Sequence, residues 1–413
     1  MQAYLTYHHG LLAHLSLFCY DPHANRHTQT LTAILIGQNE MSNSKHLPYF
    51  AVLPKQLDTL VFWSDAELDE LQASTVVGKI GRSGAEEQFN KHLTPVGFDL
   101  NDCHRAASII MAYAFDIPDE DASKIFGTVT EDELESDDEQ DEKTILSMVP
   151  LADMLNADAD RNNARLFYDA EDLEMRAIKP ITQGEEIFND YGQLPRADLL
   201  RRYGYVTDNY APFDVAEIST RSIIDKCTST AFQELDSSLQ PLTQAQLKRR
   251  LEIAEREGVY EDSFDIFHAS AEQTAISDEF LAFIFILFAN KETFDAIHSS
   301  QIAIPSRSKL STELAGKVCV TILKAKLAEY ATTLEEDEKI LQDQNLPYRK
   351  KVAVQVRLGE KRVLQGAVLE AETFQRDNKQ MRVAQEEEEE EKKSNGKRKA
   401  ETQSSNSRKK GRK

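Results

Sequence analysis

The feature that most restricts the fold is a change of residue pattern between Met148 and Tyr205. In this block, short runs suited to strands alternate with turn residues, whereas most of the chain has the apolar spacing of helices. ARLFYD at 164–169, the turn residues DAED and then LEMRAIKPI predict a β-hairpin, and EIFNDYG at 186–192 predicts a short strand. One strand-rich block in a mostly helical chain predicts an α+β fold.

Helical patterns lie on both sides of this block. Ser64 and Asp65 can cap a helix in SDAELDELQAS, and the apolar, Ala-rich stretch from Asp102 to Phe115 predicts another. Pro195 predicts the first turn of a helix that follows the strand. After Pro212 the chain is expected to be helical almost to its end, in TQAQLKRRLEIAERE, the apolar run at 279–290, ELAGKVCVTILKAKLAEYATTLEEDEKILQ and RKKVAVQVRLGEKRVLQGAVLEAETFQR.

Apolar runs and cysteine spacing exclude several classes of protein. The longest apolar run, from Phe280 to Ala289, is about half of what a helix needs to span a bilayer, so we expect a buried helix and no membrane contact. The N-terminus lacks the basic region and the cleavage site of a signal peptide. The 4 cysteines lie far apart, with no paired spacing and no histidine cluster, so the sequence predicts a reducing compartment and no metal site.

The charge of the chain indicates the kind of partner. A formal net charge of −22 would repel a phosphate backbone over most of the surface, so we expect a basic protein as the main partner and no direct nucleic-acid binding. Acidity that serves only solubility remains an alternative explanation.

Two segments have the composition of disordered chain. Residues 119–142 are rich in Asp and Glu, and they could steer a lysine-rich target or be a tolerated insertion. The tail at 386–413 begins with glutamates and then carries two basic clusters, KRK at 397–399 and RKKGRK at 408–413. This arrangement resembles a bipartite nuclear localisation signal, which predicts nuclear import through residues 397–413, although a merely solubilising terminus is an alternative.

Several short motifs occur in a specific order. PLADMLN at 150–156 is followed by the hairpin, then by GEEIF-x-x-YG and LLxxYGY, which end at Tyr205. This order resembles the second half of a SET domain, in the branch shared by Rubisco large-subunit methyltransferases and related ribosomal-protein and nuclear lysine methyltransferases. With LPYFAVLPK and MAYAF upstream, the resemblance covers most of residues 40–380. It implies a SET-domain β-fold with a helical insertion, followed by an all-α, substrate-docking C-terminal domain.

The resemblance also suggests how the chain is divided. Members of this family begin with a small β-unit that carries a Gly-rich loop. We do not find this unit in Met1–Ser44. We therefore expect a SET fold that is incomplete at the N-terminus. The predicted segments are an atypical N-terminus at 1–45, a helical SET insertion at 46–105, a SET core at 106–206 containing the acidic loop at 119–142, a helical docking domain at 207–385 and the tail at 386–413.

The resemblance implies that the protein is an S-adenosylmethionine-dependent protein-lysine N-methyltransferase. The Asn-Ala-Asp at 156–158 resembles the fungal nuclear enzymes that methylate a large-subunit ribosomal protein. The alternative is a catalytically inactive scaffold that binds a basic nuclear partner. The residues that match positions with a role in the family are Tyr191 as the catalytic tyrosine; Tyr113, Asn156, Ala157 and Tyr203 as cofactor-binding residues; and Trp63, Asp116 and Tyr191 on the substrate-lysine side.

Overall fold

The fold is described from a computed structural model. It covers residues 46–118, 144–169, 172–233, 235, 239–270 and 273–374. The acidic loop at 119–142, the tail at 386–413 and the predicted N-terminal segment at 1–45 lie outside the described residues. None of the helices in the described part is long and apolar enough to cross a membrane.

The described residues form helices and three two-stranded antiparallel sheets. The helices are α1 (Leu47–Phe50), α2 (Asp65–Leu68), α3 (Arg82–His92), α4 (Leu100–Tyr113), α5 (Arg196–Tyr203), α6 (Thr220–Cys227), α7 (Gln244–Arg256), α8 (Asp278–Phe288), α9 (Lys291–His298), α10 (Arg307–Leu310), α11 (Glu313–Leu327), α12 (Leu334–Ile340) and α13 (Tyr348–Glu372). The strands are β1 (Ala114–Pro118), β2 (Thr144–Met148), β3 (Ala164–Asp169), β4 (Asp172–Ala177), β5 (Ala216–Ser219) and β6 (Ser263–Ile266), paired β1 with β2, β3 with β4 and β5 with β6.

The chain divides into two compact units. The first unit consists of Met1–Asp214 and Thr333–Gly359, and the second of Val215–Thr332 and Glu360–Lys413. The first 12 residues of α13, up to Gly359, therefore belong to the first unit, although they follow most of the second unit in sequence. The predicted domain boundaries stay predictions.

The core of the first unit packs α4 against the segments that flank α2 and α3. Trp63, Leu71, Ile110 and Leu200 are among its buried side chains, and Val352, Ala353 and Val356 of α13 complete it. Arg357 lies 1% exposed in this unit and donates to both carboxylate oxygens of Asp337, which is 0% exposed. Because both charges are buried and paired with each other, this contact holds the first half of α13 against α12.

The second unit is mainly helical, as expected, and the apolar run predicted to be buried is α8, whose residues Phe280–Leu287 are all buried. The unit also contains the small β5–β6 sheet, which the sequence did not predict. The long segment from Glu313 to Gln342 forms two helices rather than one, because Thr333 begins α12 with a capping box to Glu336.

Two local predictions in the first unit are confirmed, and three differ from the structure. Ser64 accepts from the Glu67 amide and forms a capping box, and β3 pairs with β4 as the predicted hairpin. The helix expected to reach Phe115 ends at Tyr113, because Ala114–Pro118 pairs with β2. The strand predicted in EIFNDYG is wrong: only Asn189 makes a β-bridge there. Pro195 is the N-cap of α5 and directly precedes its first turn.

Candidate active site

A backbone crossing joins the two motif segments of the first unit. The Asn189 amide donates to the Asn156 carbonyl at 2.8 Å, and the Asp158 amide donates to the Asn189 carbonyl at 3.3 Å, so that Ala157 and Asn189 form a parallel bridge. The Asn156 side chain is exposed, and its amide donates to Glu186 Oε1 at 2.8 Å. This crossing places Asn156 and Ala157 next to the segment that leads to Tyr191.

Asn163 forms hydrogen bonds with residues 186 and 188, which precede Asn189 in this crossing. Its side chain is buried; Nδ2 donates to the Glu186 carbonyl at 2.9 Å, and Oδ1 accepts from the Phe188 amide at 2.9 Å. The amides of Asn163 and Ala164 in turn donate to the Phe188 carbonyl. The Asn163 side chain therefore makes two hydrogen bonds that the backbone of a neighbouring strand would otherwise make. Residues 186–192 accordingly run beside β3 without forming a regular strand.

Two tyrosines from the two Tyr-Gly pairs form a stacked aromatic pair. The rings of Tyr191 and Tyr203 lie 4.5 Å apart between centroids, with 13° between their planes. Tyr203 is the last residue of α5, which ends at Gly204 in the left-handed region at φ 77°. The Tyr191 hydroxyl donates to the Leu155 carbonyl at 3.1 Å, next to Asn156. The structure thus brings together Asn156, Ala157, Tyr191 and Tyr203 of the predicted site residues.

The tyrosine hydroxyls of this cluster are held in their protonated form. Burial raises the pKa of Tyr191 above its usual range, and the neighbouring Tyr205, Tyr203 and Tyr113 add to this effect. Burial likewise raises the pKa of Tyr113 and of Tyr203. A tyrosine with a raised pKa stays neutral at physiological pH, so Tyr191 can donate and accept hydrogen bonds but is a poor proton acceptor.

Asp153 belongs to the same cluster and was not predicted. It is 4% exposed, and its Oδ2 accepts from the Tyr49 hydroxyl at 2.5 Å. Burial raises the pKa of this carboxyl, while the hydrogen bond from Tyr49 lowers it in part. The negative charge of Asp153 contributes to the raised pKa of both Tyr113 and Tyr191, which places it beside them.

Trp63 and Asp116, which were predicted on the substrate-lysine side, lie in other surroundings. Trp63 is 1% exposed in the core of the first unit, where its indole N–H donates to the Asp58 carbonyl at 2.9 Å. Asp116 is exposed on β1, and its carbonyl accepts from the Tyr168 hydroxyl at 3.3 Å. No described contact joins Trp63 or Asp116 to Tyr191, so their assignment to the substrate side stays a prediction.

The residues around the crossing fit the polar and cationic groups of S-adenosylmethionine. Asn156 offers an exposed amide, Ala157 offers backbone polar groups at the crossing, and the tyrosine pair offers aromatic faces. An aromatic face stabilises a neighbouring cation such as a sulfonium. The donor set therefore suits this cofactor, with Asn156, Ala157, Tyr113 and Tyr203 as the residues that would hold it.

Comparison with protein families matches most of the described chain. Residues 22–192 match the SET domain, and residues 241–364 match the Rubisco LSMT substrate-binding domain. The SET match thus begins inside the segment that was expected to be atypical.

Two curated relatives are similar to different lengths of the chain. Ribosomal lysine N-methyltransferase 4 of Saccharomyces cerevisiae is 36% identical over 202 residues, which cover 45% of this chain and 40% of the yeast protein. The N-lysine methyltransferase setd6 of Danio rerio is 28% identical over 372 residues, which cover 80% of this chain and 76% of that protein.

A solved structure shares the fold. The structure of Rubisco LSMT bound to AdoMet matches with a TM-score of 0.59 and 22% identity, over 86% of this chain and 78% of that one. The likeness extends over both the strand-rich and the helical parts of the sequence, in agreement with the fold that was predicted.

Proposed function

The chain belongs to the SET-domain protein-lysine methyltransferases that carry a Rubisco LSMT substrate-binding domain, and on this premise we propose that it uses S-adenosylmethionine to methylate a lysine of a large-subunit ribosomal protein. The observation that carries the proposal is the backbone crossing of Asn156 with Asn189, which sets the stacked Tyr191 and Tyr203 beside an exposed amide. Support for the ribosomal target comes from the yeast relative, which is named for that activity.

The proposed reaction depends mainly on positioning. When bound, S-adenosylmethionine supplies an electrophilic methyl group on a sulfonium. Displacement at that carbon requires an amine nitrogen in line with it, and holding two reactants in line is a large part of the catalytic effect. A buried, aromatic site also disfavours the charged form of the target lysine, which helps it reach the neutral amine.

Tyr191 is proposed to orient the amine. Its hydroxyl donates to the Leu155 carbonyl, so its hydrogen is directed away and its oxygen lone pairs remain to accept an N–H from the incoming nitrogen. Because burial raises its pKa, we assign Tyr191 orientation and electrostatic stabilisation and not proton abstraction. The ring of Tyr203, stacked on Tyr191, is proposed to pack on the cofactor.

Two measurements test the proposed function: binding of S-adenosylmethionine, and incorporation of methyl groups into candidate substrate proteins. Titration calorimetry with S-adenosylmethionine should give saturable binding. Labelled methyl groups should then enter purified large-subunit ribosomal proteins in preference to small-subunit proteins or core histones, and heat-denatured enzyme gives the background. Saturable binding without incorporation into any of these proteins would favour the scaffold alternative, and absence of binding would contradict the proposal.

The proposed location is the nucleus. The two basic clusters within 397–413, which lie outside the described residues, support it. A fluorescent fusion of the whole chain should concentrate in nuclei, and replacing both clusters with alanine should disperse it. A matched control replaces Lys324 and Lys326, which lie in α11 of the second unit. Equal distribution of the parent and the cluster variant would contradict nuclear import through the tail.

A further inference from the structure

The turn that follows Tyr203 is held by residues that are distant in the sequence. Gly204 is buried, and its α-carbon lies against the backbone of Asp58 and Thr59. The Gly204 carbonyl accepts a hydrogen bond from the Tyr348 hydroxyl at 3.2 Å. Gly204 is covalently joined to Tyr203, so these contacts restrict where the backbone of Tyr203 can lie.

Arg349, the next residue of α13, holds the other partner of this turn. Its guanidinium donates to Asp58 Oδ1 from Nε at 3.1 Å and from Nη2 at 3.0 Å. The Asp58 carbonyl accepts from the Trp63 indole N–H at 2.9 Å. Because both the side chain and the backbone of Asp58 are bonded, the backbone that contacts Gly204 is itself held in place.

Packing alone does not account for the position of Tyr348. Its side chain is 48% exposed, so its ring contributes less to the core than the buried Val352 and Val356 of the same helix. Burial and the nearby Asp58 carboxylate raise the pKa of Tyr348, so its hydroxyl stays protonated and can donate at neutral pH. The hydrogen bond to Gly204 is therefore the contact that gives this side chain a specific position.

We propose that Tyr348 is a positioning residue, whose hydrogen bond to Gly204 holds the Tyr203 ring in its stacked position on Tyr191. The inference rests on the proposed function, in which the Tyr203 ring packs on the cofactor. A ring that is already held in its binding position loses less conformational freedom when a ligand packs on it, and this strengthens binding. Loss of the hydrogen bond should therefore weaken binding of S-adenosylmethionine, although Tyr348 itself does not touch the cofactor in this proposal.

The test removes the hydroxyl and leaves the ring. Tyr348→Phe should fold, because the ring is half-exposed and keeps its packing. Titration calorimetry should give a Kd for S-adenosylmethionine that is about three to ten times that of the parent, as expected for the loss of one neutral hydrogen bond. An unchanged Kd would overturn the inference and leave the proposed activity standing, whereas absence of binding by the parent would contradict both proposals.

A matched variant controls for general loosening of α13. Lys350 lies in the same helical turn, and its Nζ donates to Glu70 Oε1 at 2.6 Å, a contact that does not involve Gly204. Lys350→Met should leave the Kd within about twofold of that of the parent, because a partly exposed ion pair contributes little. A Kd raised as much by Lys350→Met as by Tyr348→Phe would show that loosening of the helix weakens binding, and would overturn the role of the hydroxyl.

A double-mutant cycle shows whether the hydroxyl acts through Tyr203. Tyr203→Leu removes the ring that is to be positioned, so adding Tyr348→Phe to it should change the Kd by less than about 1.5-fold. The same fold-change in both backgrounds would mean that the hydroxyl acts on another group, and it would overturn the inference.

Hydrogen exchange decides the proposal if Tyr203→Leu does not fold or binds too weakly to measure. The Gly204 amide closes α5 by donating to the Leu200 carbonyl at 3.0 Å. Its exchange should be faster in Tyr348→Phe than in Lys350→Met, because only the former frees the Gly204 carbonyl. Equal exchange in the two variants would contradict the proposed positioning.

Discussion

Gly204, which follows Tyr203, occupies a position that should reject any side chain. Its φ of 77° lies in the left-handed region, and a Cβ built there would lie 2.9 Å from Asp58 C and 2.9 Å from Thr59 N, both backbone atoms. The left-handed conformation costs an alanine about 1–2 kcal/mol. Overpacking against backbone, which cannot rotate away, adds about 1–3 kcal/mol. Gly204→Ala should therefore destabilise the first unit by about 2–5 kcal/mol.

Urea unfolding followed by tryptophan fluorescence measures this effect, because the chain has 1 tryptophan and Trp63 is buried in the core of the first unit. The matched control is Gly97→Ala in the same unit. Gly97 also has a positive φ, 103°, but nothing lies within 4 Å of its Cβ position, so only the backbone cost of about 1–2 kcal/mol applies. Equal destabilisation by the two variants would refute the close approach of Gly204 to residues 58 and 59.

Three further predictions concern the first unit. Tyr191→Phe should lower kcat for methyl incorporation at least tenfold, about 1.4 kcal/mol, and a loss below threefold would contradict its orienting role. Arg357→Met should cost about 3–5 kcal/mol in urea unfolding because Asp337 is left buried without its cation, and a cost under 1 kcal/mol would show that the pair is dispensable. Burial would raise the pKa of Asp158, but hydrogen bonds from Arg161 and Asn209 outweigh it and lower that pKa to about 2. Because the folded pKa lies below the unfolded value, the charged carboxylate contributes about 2 kcal/mol above pH 4 that is lost as pH falls towards 2. The stability difference between the parent and Asp158→Asn should shrink over that interval, and a constant difference would contradict this.

Local signals in the sequence predicted local structure well. Strand-forming runs around turn residues predicted the β3–β4 hairpin, and the Ser64 capping signal predicted the start of α2, because in both cases the determining contacts lie within a few residues. The run that forms α8 was predicted to be buried because it is apolar on all sides, which requires no knowledge of its contacts.

Features that depend on distant contacts were not predictable in this way. Tyr49 and Asp153 form a hydrogen bond although they are 104 residues apart in sequence, and nothing in the sequence around either residue indicates that the two are in contact. The segment 186–192 was predicted to be a strand from its composition, yet its geometry is set by the Asn163 side chain. Stacking of Tyr191 on Tyr203 joins a residue before α5 to the last residue of that helix, and the spacing of the two tyrosines alone does not specify it.

The discontinuity of the first unit has a consequence for biosynthesis. Its core includes Val352 and Val356, which leave the ribosome after the whole segment Val215–Thr332 has been made. Protein domains generally fold from the N-terminus as they are synthesised. The first unit, however, cannot complete its core until residues 333–359 have been made, and until then part of its apolar core is exposed to solvent. A fragment ending at Asp214 would keep that surface exposed, and we expect it to aggregate when it is expressed alone.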